Sequence, residues 1–364
     1  MAIEFARPVR PLENSTAMLA SAKRAFTTRR VPQADMATVV AGDAQPRIGD
    51  LIIATVEKIG SHPRIELPSG RKAQLAVGDR IVLAYGNRYA PDQFEAIIEK
   101  SMGPCHMVAA GGVAATMVAR HEQMSRPTQI RPLGYVADAA GVPINLSRYA
   151  LQLDPRPRAI ATVLVAGTSM NAGKTFTAAA LVHSFARAGH KVAGIKATGT
   201  GAGGDVWLMS DMGASLALDF TDAGLPSTYL VEPERIERSV LGLVGHAADA
   251  GCDVAVVEIA DGLQHEETAS VLRSVNIRHI AAGVVFAAND ALGAKAGLDT
   301  LAAWGHPVLA LSGQLTRSPL AIREAAKSTG ICVVTASEIQ AGALCSAVFA
   351  AASAVSRTRL DVAA

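Results

Sequence analysis

Charge is scarce in this chain. Only 18% of its 364 residues are Asp, Glu, Lys or Arg, and the formal net charge is +2. A balance so close to neutral gives no electrostatic footprint for nucleic acid or for a membrane surface. Cysteine is scarce as well. Cys105, Cys252, Cys332 and Cys345 are scattered, and no C-x-x-C pair occurs. That argues against a thiolate zinc site and a disulfide framework, and it suits a reducing compartment. Long hydrophobic runs are missing. The longest, IAAGVVFAA at 280–288, is about half of what a membrane span needs and reads as a buried strand. The opening MAIEFARPVRPLENS has no apolar region of the signal-peptide kind. No internal repeat or low-complexity segment stands out. These absences lead to the expectation of a soluble, cytoplasmic protein with no nucleic-acid or membrane partner.

What is present is apolar material, half of all residues, on a chain long enough for two domains. Residues 1–45 read as an N-terminal arm with a short helix within 15–26. Residues 46–153 read as a small β-rich domain. RIGDLIIATVEKIG, RIELPSGRKAQLAVGD and RIVLAYGNRYA are short β-branched runs punctuated by Pro68–Ser69–Gly70 and Gly78–Asp79. HMVAAGGVAATMVARH at 106–121 reads as a glycine-interrupted helix or a strand-turn-helix. DPRPR at 154–158 reads as a linker. From 159 to 364, strands expected at 160–167, 191–196, 252–258, 279–287, 307–312 and 331–335 alternate with helices at 173–188, 233–250, 292–304 and 317–328. Such alternation implies an α/β fold with a doubly wound, mostly parallel sheet, its ligand loops at the carboxyl ends of the strands.

The first of these strands runs into GTSMNAGKT, then into an apolar helix. A Walker A phosphate loop is G-x-x-x-x-G-K-[ST]. Here five residues separate Gly167 from Gly173, and Thr168 stands where the first glycine would. Both flanks are nevertheless right for a phosphate loop. A helix N-terminus offers unpaired N–H groups and the positive dipole end to phosphate oxygens. The nucleotide-binding segment is Gly167, Thr168, Ser169, Met170, Asn171, Ala172, Gly173, Lys174, Thr175 and Phe176. Within it, Lys174 would neutralise the β- and γ-phosphates and the Thr175 hydroxyl would ligate Mg2+. Ser169 stands where dimer-switching ATPases carry an additional lysine, which weakens that reading.

The form G-T-x-x-x-x-G-K-T resembles the loop of the dethiobiotin synthetases, and the resemblance extends over roughly residues 160–320. AGHKVAGIKATGTG at 188–201 places Lys196 at the point matching their second site lysine. Asp205 in GGDVWLM matches their next aspartate, with Asp211 as a nearby competitor. DVAVVEIADG places Glu258 at their strand-end acid. The resemblance implies a P-loop fold, ATP and Mg2+ as cofactors, and a homodimer. It implies Lys174 and Lys196 as catalytic residues, with Lys196 holding a carboxylate or carbamate against the γ-phosphate. Thr175, Asp205 and Glu258 become the metal ligands, and Gln314 in LSGQLTRSP the contact to the base. Thr198, Gly199, Thr200 and Gly201 could offer N–H groups to an anionic substrate.

The sequence also departs from that family, since IADG replaces its glycine-rich segment. Asp261 could bind an amine or cap the helix that begins near His265. Ala197–Gly199 and Asp219–Phe220 resemble a P-loop family linked to D-amino-acid N-acyl metabolism. In the N-terminal part, Asn87, Arg88, Tyr89, Asp92, Gln93 and Glu95 make a polar turn, suited to a zwitterionic ligand or to structure. Cys105–His106 are adjacent residues that a strand would face to opposite sides. The leading expectation is a Mg-ATP-dependent enzyme, ligase or kinase, acting on a small carboxylate, carbamate or amine. The alternatives are a nucleotide-driven regulatory or chaperone ATPase acting on a protein partner, and an acyl transferase of amino-acid metabolism on a P-loop fold.

Overall fold

The computed structural model describes residues 10–42, 45–158 and 160–363, with side chains to 355. The first nine residues of the expected arm, which open the segment read for a signal peptide, lie outside the described residues, as does residue 159. By contact, the chain separates into two compact units. One is Met1–Leu151 with Thr200–Gly204 and Phe220–Leu230; the other is Gln152–Gly199 with Asp205–Asp219 and Val231–Ala364.

The first unit is built on strands β1 (Arg10–Pro11), β2 (Lys23–Arg24), β3 (Thr38–Ala41), β4 (Leu51–Lys58), β5 (Arg64–Glu66), β6 (Lys72–Gln74), β7 (Arg80–Tyr85), β8 (Arg88–Tyr89), β9 (Phe94–Ile97), β10 (Cys105–Ala109), β11 (Val113–Arg120) and β12 (Thr128–Ala137). Its main sheet runs β1-β3-β12-β4-β7-β11-β9-β8, with β10 bonded to β11 and β12, and β2 to β7. The period-2 geometry of a strand sends alternate side chains to opposite faces, and β4 is apolar on both. Ile52, Ala54 and Val56 enter one core with Ile65, Leu83 and Tyr135. Leu51 and Ile53 enter another with Val82, Val136 and Ile144.

Residues 1–45 are therefore not a separate arm in their described part, because β1, β2 and β3 belong to this sheet. Helix α1 (Ser15–Ser21) buries Leu19 and stops short of residue 26. The segment 106–121 is neither a helix nor a strand-turn-helix. It is the β10–β11 hairpin, whose turn carries Gly112 at φ 91°. The polar turn at 85–96 is likewise a hairpin, in which β8 pairs with β9.

Two distant pieces of chain complete this unit. Thr200 bridges Ser227, Gly201 N–H donates to Pro226 O at 2.8 Å, and Gly203 N–H donates to Glu66 Oε2 at 3.0 Å. Arg29 and Arg30 pair with Asp222 at 2.6 and 3.3 Å.

The second unit carries a six-stranded parallel sheet of β13 (Ala161–Gly167), β14 (Val192–Lys196), β15 (Leu216–Asp219), β16 (Val254–Glu258), β17 (Ala281–Ala287) and β18 (Val308–Ser312), in the order β15-β14-β16-β13-β17-β18. Its helices are α2 (Lys174–Arg187), α3 (Gly204–Asp211), α4 (Pro233–Asp249), α5 (Glu266–Arg273), α6 (Val275–Ile280), α7 (Ala291–Ala303), α8 (Pro319–Thr329), α9 (Ala336–Gln340) and α10 (Cys345–Ala363). The strands read as near-continuous apolar runs because helices cover both faces. Strand β16 is buried throughout. This is the expected doubly wound, parallel α/β sheet. It differs from the expected strand list at two places. Strand β15 joins the sheet, and the expected strand 331–335 contributes only an isolated bridge between Leu311 and Val333. Among the described residues no helix is long and apolar enough to cross a membrane.

Candidate functional site

Strand order places the loop after β13 between two neighbours, β16 on one side and β17 on the other. The turn from β13 into α2 needs two left-handed residues, Asn171 (φ 65°) and Gly173 (φ 98°), and Gly173 is the position before the helix. Glycine adopts this conformation without the Cβ penalty, and asparagine tolerates it. The loop is fixed from outside as well. Thr168 N–H donates to Ala287 O at 3.0 Å and Gln314 N–H to Ala172 O at 2.9 Å. Lys174 is buried, and its ammonium donates to Ser169 O at 2.7 Å, folding the side chain back along the loop. Burial first, and then the charge of Lys196, pulls Lys174 down to about 8.

Beside the loop, register does the rest. Lys196 ends β14 directly opposite Glu258, which ends β16, and Val165 of β13 is the partner of Glu258 on the other side. Glu258 is fully buried. Its Oε1 accepts from Lys196 Nζ at 2.7 Å and from Thr175 Oγ1 at 2.9 Å. Lys196 Nζ also lies 2.6 Å from Asp205 Oδ2, near the start of α3. Burial works against the ammonium form of Lys196, yet the Asp205 and Glu258 charges outweigh it and hold the group above the ordinary lysine range. Burial likewise opposes ionisation of Asp205, and Lys196 overcomes it, leaving Asp205 below the usual carboxylate value.

These groups line one cavity of about 280 Å³, together with Met170, Asn171, Gly173, Phe176, Ala260, Asp261 and Gln314. The structure thus brings together Lys174, Thr175, Lys196, Asp205, Glu258 and Gln314. Gly167, Thr168, Ser169 and Ala172 form the loop without lining the cavity. Asp211, the competitor of Asp205, ends α3 instead. Gly201 N–H donates to Pro226 O, so that donor is committed to the backbone rather than offered to an anionic substrate, while Thr198 Oγ1 accepts from Ala260 N–H.

The donor set fits Mg2+. Thr175 Oγ1 and the carboxylates of Asp205 and Glu258 are hard oxygens, and Mg2+ takes one or two carboxylates together with phosphate oxygens and water. Glu258 Oε2 is a buried acceptor with no hydrogen-bond partner among the described residues, which a cation or its water would satisfy. Among those residues no group of three His, Cys, Asp or Glu is arranged to hold a metal by itself. A bound Mg2+ would complete its shell with phosphate oxygens or water.

Sequence reasoning took Asp261 for an amine ligand or a helix cap and gave His265 no role beyond marking a helix start. Asp261 faces the cavity, and His265 lies behind it, 4.0 Å away, with Glu267 on its far side. The spacing D-x-x-x-H-x-E after the strand-end acid was the available signal. Outside this unit, Cys105 is buried in a core and burial pushes its thiol up to about 12. Its neighbour His106 accepts from Met117 N–H, so the two form no reactive pair.

No protein-family model and no curated protein matches the chain. Among solved structures it is similar to the signal recognition particle receptor FtsY from Elizabethkingia anophelis, at 17% identity over 46% of this chain and 53% of that one, with TM-score 0.29. Similar too are the signal recognition particle 54 kDa protein from Aeropyrum pernix K1 in complex with GDP, at 16% over 59% and 54% with TM-score 0.34, and chloroplast FtsY from Physcomitrella patens, at 17% over 52% and 62% with TM-score 0.34. The chain spans little more than half the length of these proteins, and the likeness reaches no further than a fold. None of them is described as a dethiobiotin synthetase, a ligase or a small-molecule kinase. The expectation of such an enzyme with a small-molecule substrate is corrected on that finding. Lys196 supplies the physical reason: the ammonium meant to hold a substrate carboxylate is already held by two carboxylates of the protein.

Proposed function

We propose that this protein is a Mg2+-dependent nucleoside triphosphate hydrolase that acts as a nucleotide-driven regulatory module on a protein partner. The observation that carries the reading is the position of Lys196, tied to Asp205 and to Glu258 at the cavity floor. Between Lys196 and Asp205 the chain passes through Thr200–Gly204, which clusters with the first unit. A cation entering beside Thr175 would compete with Lys196 for both carboxylates. Any shift of Asp205 is then felt at Gly204, its covalent neighbour. Such a link between a phosphate site and a remote segment is what a switch requires.

In this reading the loop N–H groups of 167–176 and the N-terminus of α2 hold the phosphates, and Lys174 neutralises them. Thr175, Asp205 and Glu258 hold Mg2+, which when bound neutralises charge on the phosphate oxygens. The Gln314 amide can donate to and accept from a base edge. ATP is the first triphosphate to test, with GTP beside it. A cytoplasmic setting fits four cysteines that form no disulfide.

The test is hydrogen exchange of segment 200–204 with Mg2+ alone, with Mg2+ and a slowly hydrolysed triphosphate analogue, and with the diphosphate. Different protection in the triphosphate and diphosphate states is expected. Identical exchange in both would remove the switch.

A further inference from the structure

Asp261 is a carboxylate that phosphate and metal binding leave unused. It stands three residues beyond the end of β16, in the left-handed backbone conformation (φ 60°), and lines the cavity. It is 7% exposed, and its Oδ1 has no hydrogen-bond partner among the described residues. A buried carboxylate oxygen left unpaired is costly, and a polar ligand in the cavity recovers that cost.

The loop that carries Asp261 is clamped in place. Ala260 N–H donates to Thr198 Oγ1 at 2.8 Å, and Ala260 O accepts from Thr268 Oγ1 at 2.6 Å. Gly262 lies so close to the phosphate loop that a Cβ there would meet Thr168 O at 2.3 Å. Behind the carboxylate stands His265, just before α5. Its Nδ1 is 4.0 Å from Asp261 Oδ2 and its Nε2 is 3.0 Å from Glu267 Oε2, with all three side chains about nine-tenths buried. Lys174 and Lys196 bear on Asp261 from the cavity side, and His265 and Glu267 from the α5 side. The cavity's other two carboxylates, Asp205 and Glu258, are engaged by Lys196.

We propose that Asp261 is the catalytic group that orients and deprotonates the water attacking the terminal phosphate, with His265 and Glu267 as positioning residues. The proposal rests on the hydrolase reading above. The water oxygen forms the new bond to phosphorus. The bond from phosphorus to the bridging oxygen breaks, and its electron pair leaves with the nucleoside diphosphate. The water proton passes to Asp261 Oδ1 and from there to solvent.

The test uses Asp261→Asn, which keeps the size of the side chain and the tolerance for left-handed backbone. Mg2+-dependent binding of a slowly hydrolysed triphosphate analogue should stay within about threefold of the unaltered protein while phosphate release falls about 10²-fold or more. His265→Asn should shift the pH–rate profile with analogue binding preserved. Phosphate release by Asp261→Asn at the unaltered rate overturns the role of Asp261 and leaves the hydrolase reading standing. Loss of analogue binding in step with rate also overturns it, by assigning Asp261 to loop geometry. If Asp261→Asn does not fold, the His265→Asn profile decides, and an unchanged profile overturns the relay. Failure of the unaltered protein to bind any triphosphate removes the hydrolase reading itself, and this proposal with it.

Discussion

The Lys196 ammonium lies 2.7 Å from Glu258 Oε1, donated by two neighbouring parallel strands at the same register position. Lysine and glutamate meet there because both strands end at the same level, and Asp205 closes on the lysine from α3. Replacing Lys196 by Met leaves two partly or wholly buried carboxylates without their cation. Breaking a buried pair from one side typically costs about 3 kcal/mol or more. Urea unfolding of Lys196→Met should show a loss of that order, recovered in part by millimolar Mg2+ at the same oxygens. A loss that Mg2+ does not touch would refute the metal assignment.

Lys174 gives a pH dependence. Its folded value of about 8 lies below the 10.5 of an unperturbed lysine. The unfolded chain therefore holds the extra proton between those limits, and the Lys174 contribution to stability rises with pH across that window. Phosphate binding follows the opposite sign, since the ammonium is the form that pairs with an anion. Triphosphate affinity should fall by up to about tenfold per pH unit above pH 8, with proton uptake on binding in that range. Calorimetry in buffers of different ionisation enthalpy measures the uptake. No uptake at pH 8.5 would refute the assignment.

Glu66 tests the segment between the two site residues. Its carboxylate is buried and accepts from Gly203 N–H at 3.0 Å. Glu66→Ala leaves a buried donor unpaired, at about 1–3 kcal/mol. Faster hydrogen exchange at 200–204 and weaker Mg2+-dependent triphosphate binding should appear together. Weaker binding without faster exchange would break the proposed link.

Gly262→Ala tests the clamp on the phosphate loop. The added methyl would meet Thr168 O at 2.3 Å, a backbone atom that gives way only if the loop moves. Triphosphate affinity should fall about tenfold or more, in line with the 1–3 kcal/mol typical of overpacking. A titration with a fluorescent analogue measures it, and unchanged affinity would show that the loop is free to shift.

The strand, loop and helix around GKT were legible in the sequence because their signal is local: an apolar strand, GKT at fixed spacing and an apolar helix in one run of residues. The strand-end positions of Lys196 and Glu258 were legible for a similar reason. Strand β15 was not, since LALD is four residues long and half of it is only partly buried. The β10–β11 hairpin was misread because glycines interrupt a run of small apolar residues whose alternation is not visible. The commitment of Lys196 to two carboxylates was hidden, because it depends on strand register and on where α3 begins. Nor could local pattern show that Thr200–Gly204 and Phe220–Leu230 belong with residues as far as 193 positions earlier. Their hydrogen bonds to Glu66, Pro226 and Ser227 and their pairing with Arg29 and Arg30 are non-local.

That last arrangement bears on how the chain is made. The β-rich unit draws on residues 200–204 and 220–230, so its final form must wait for Leu230 to leave the ribosome. By then β13, α2 and β14 have already been synthesised. With translation at about 5–20 residues per second, Glu66, Arg29 and Arg30 wait several seconds for partners that do not yet exist. The order of synthesis, rather than the order of the strands, sets when this half of the protein can close.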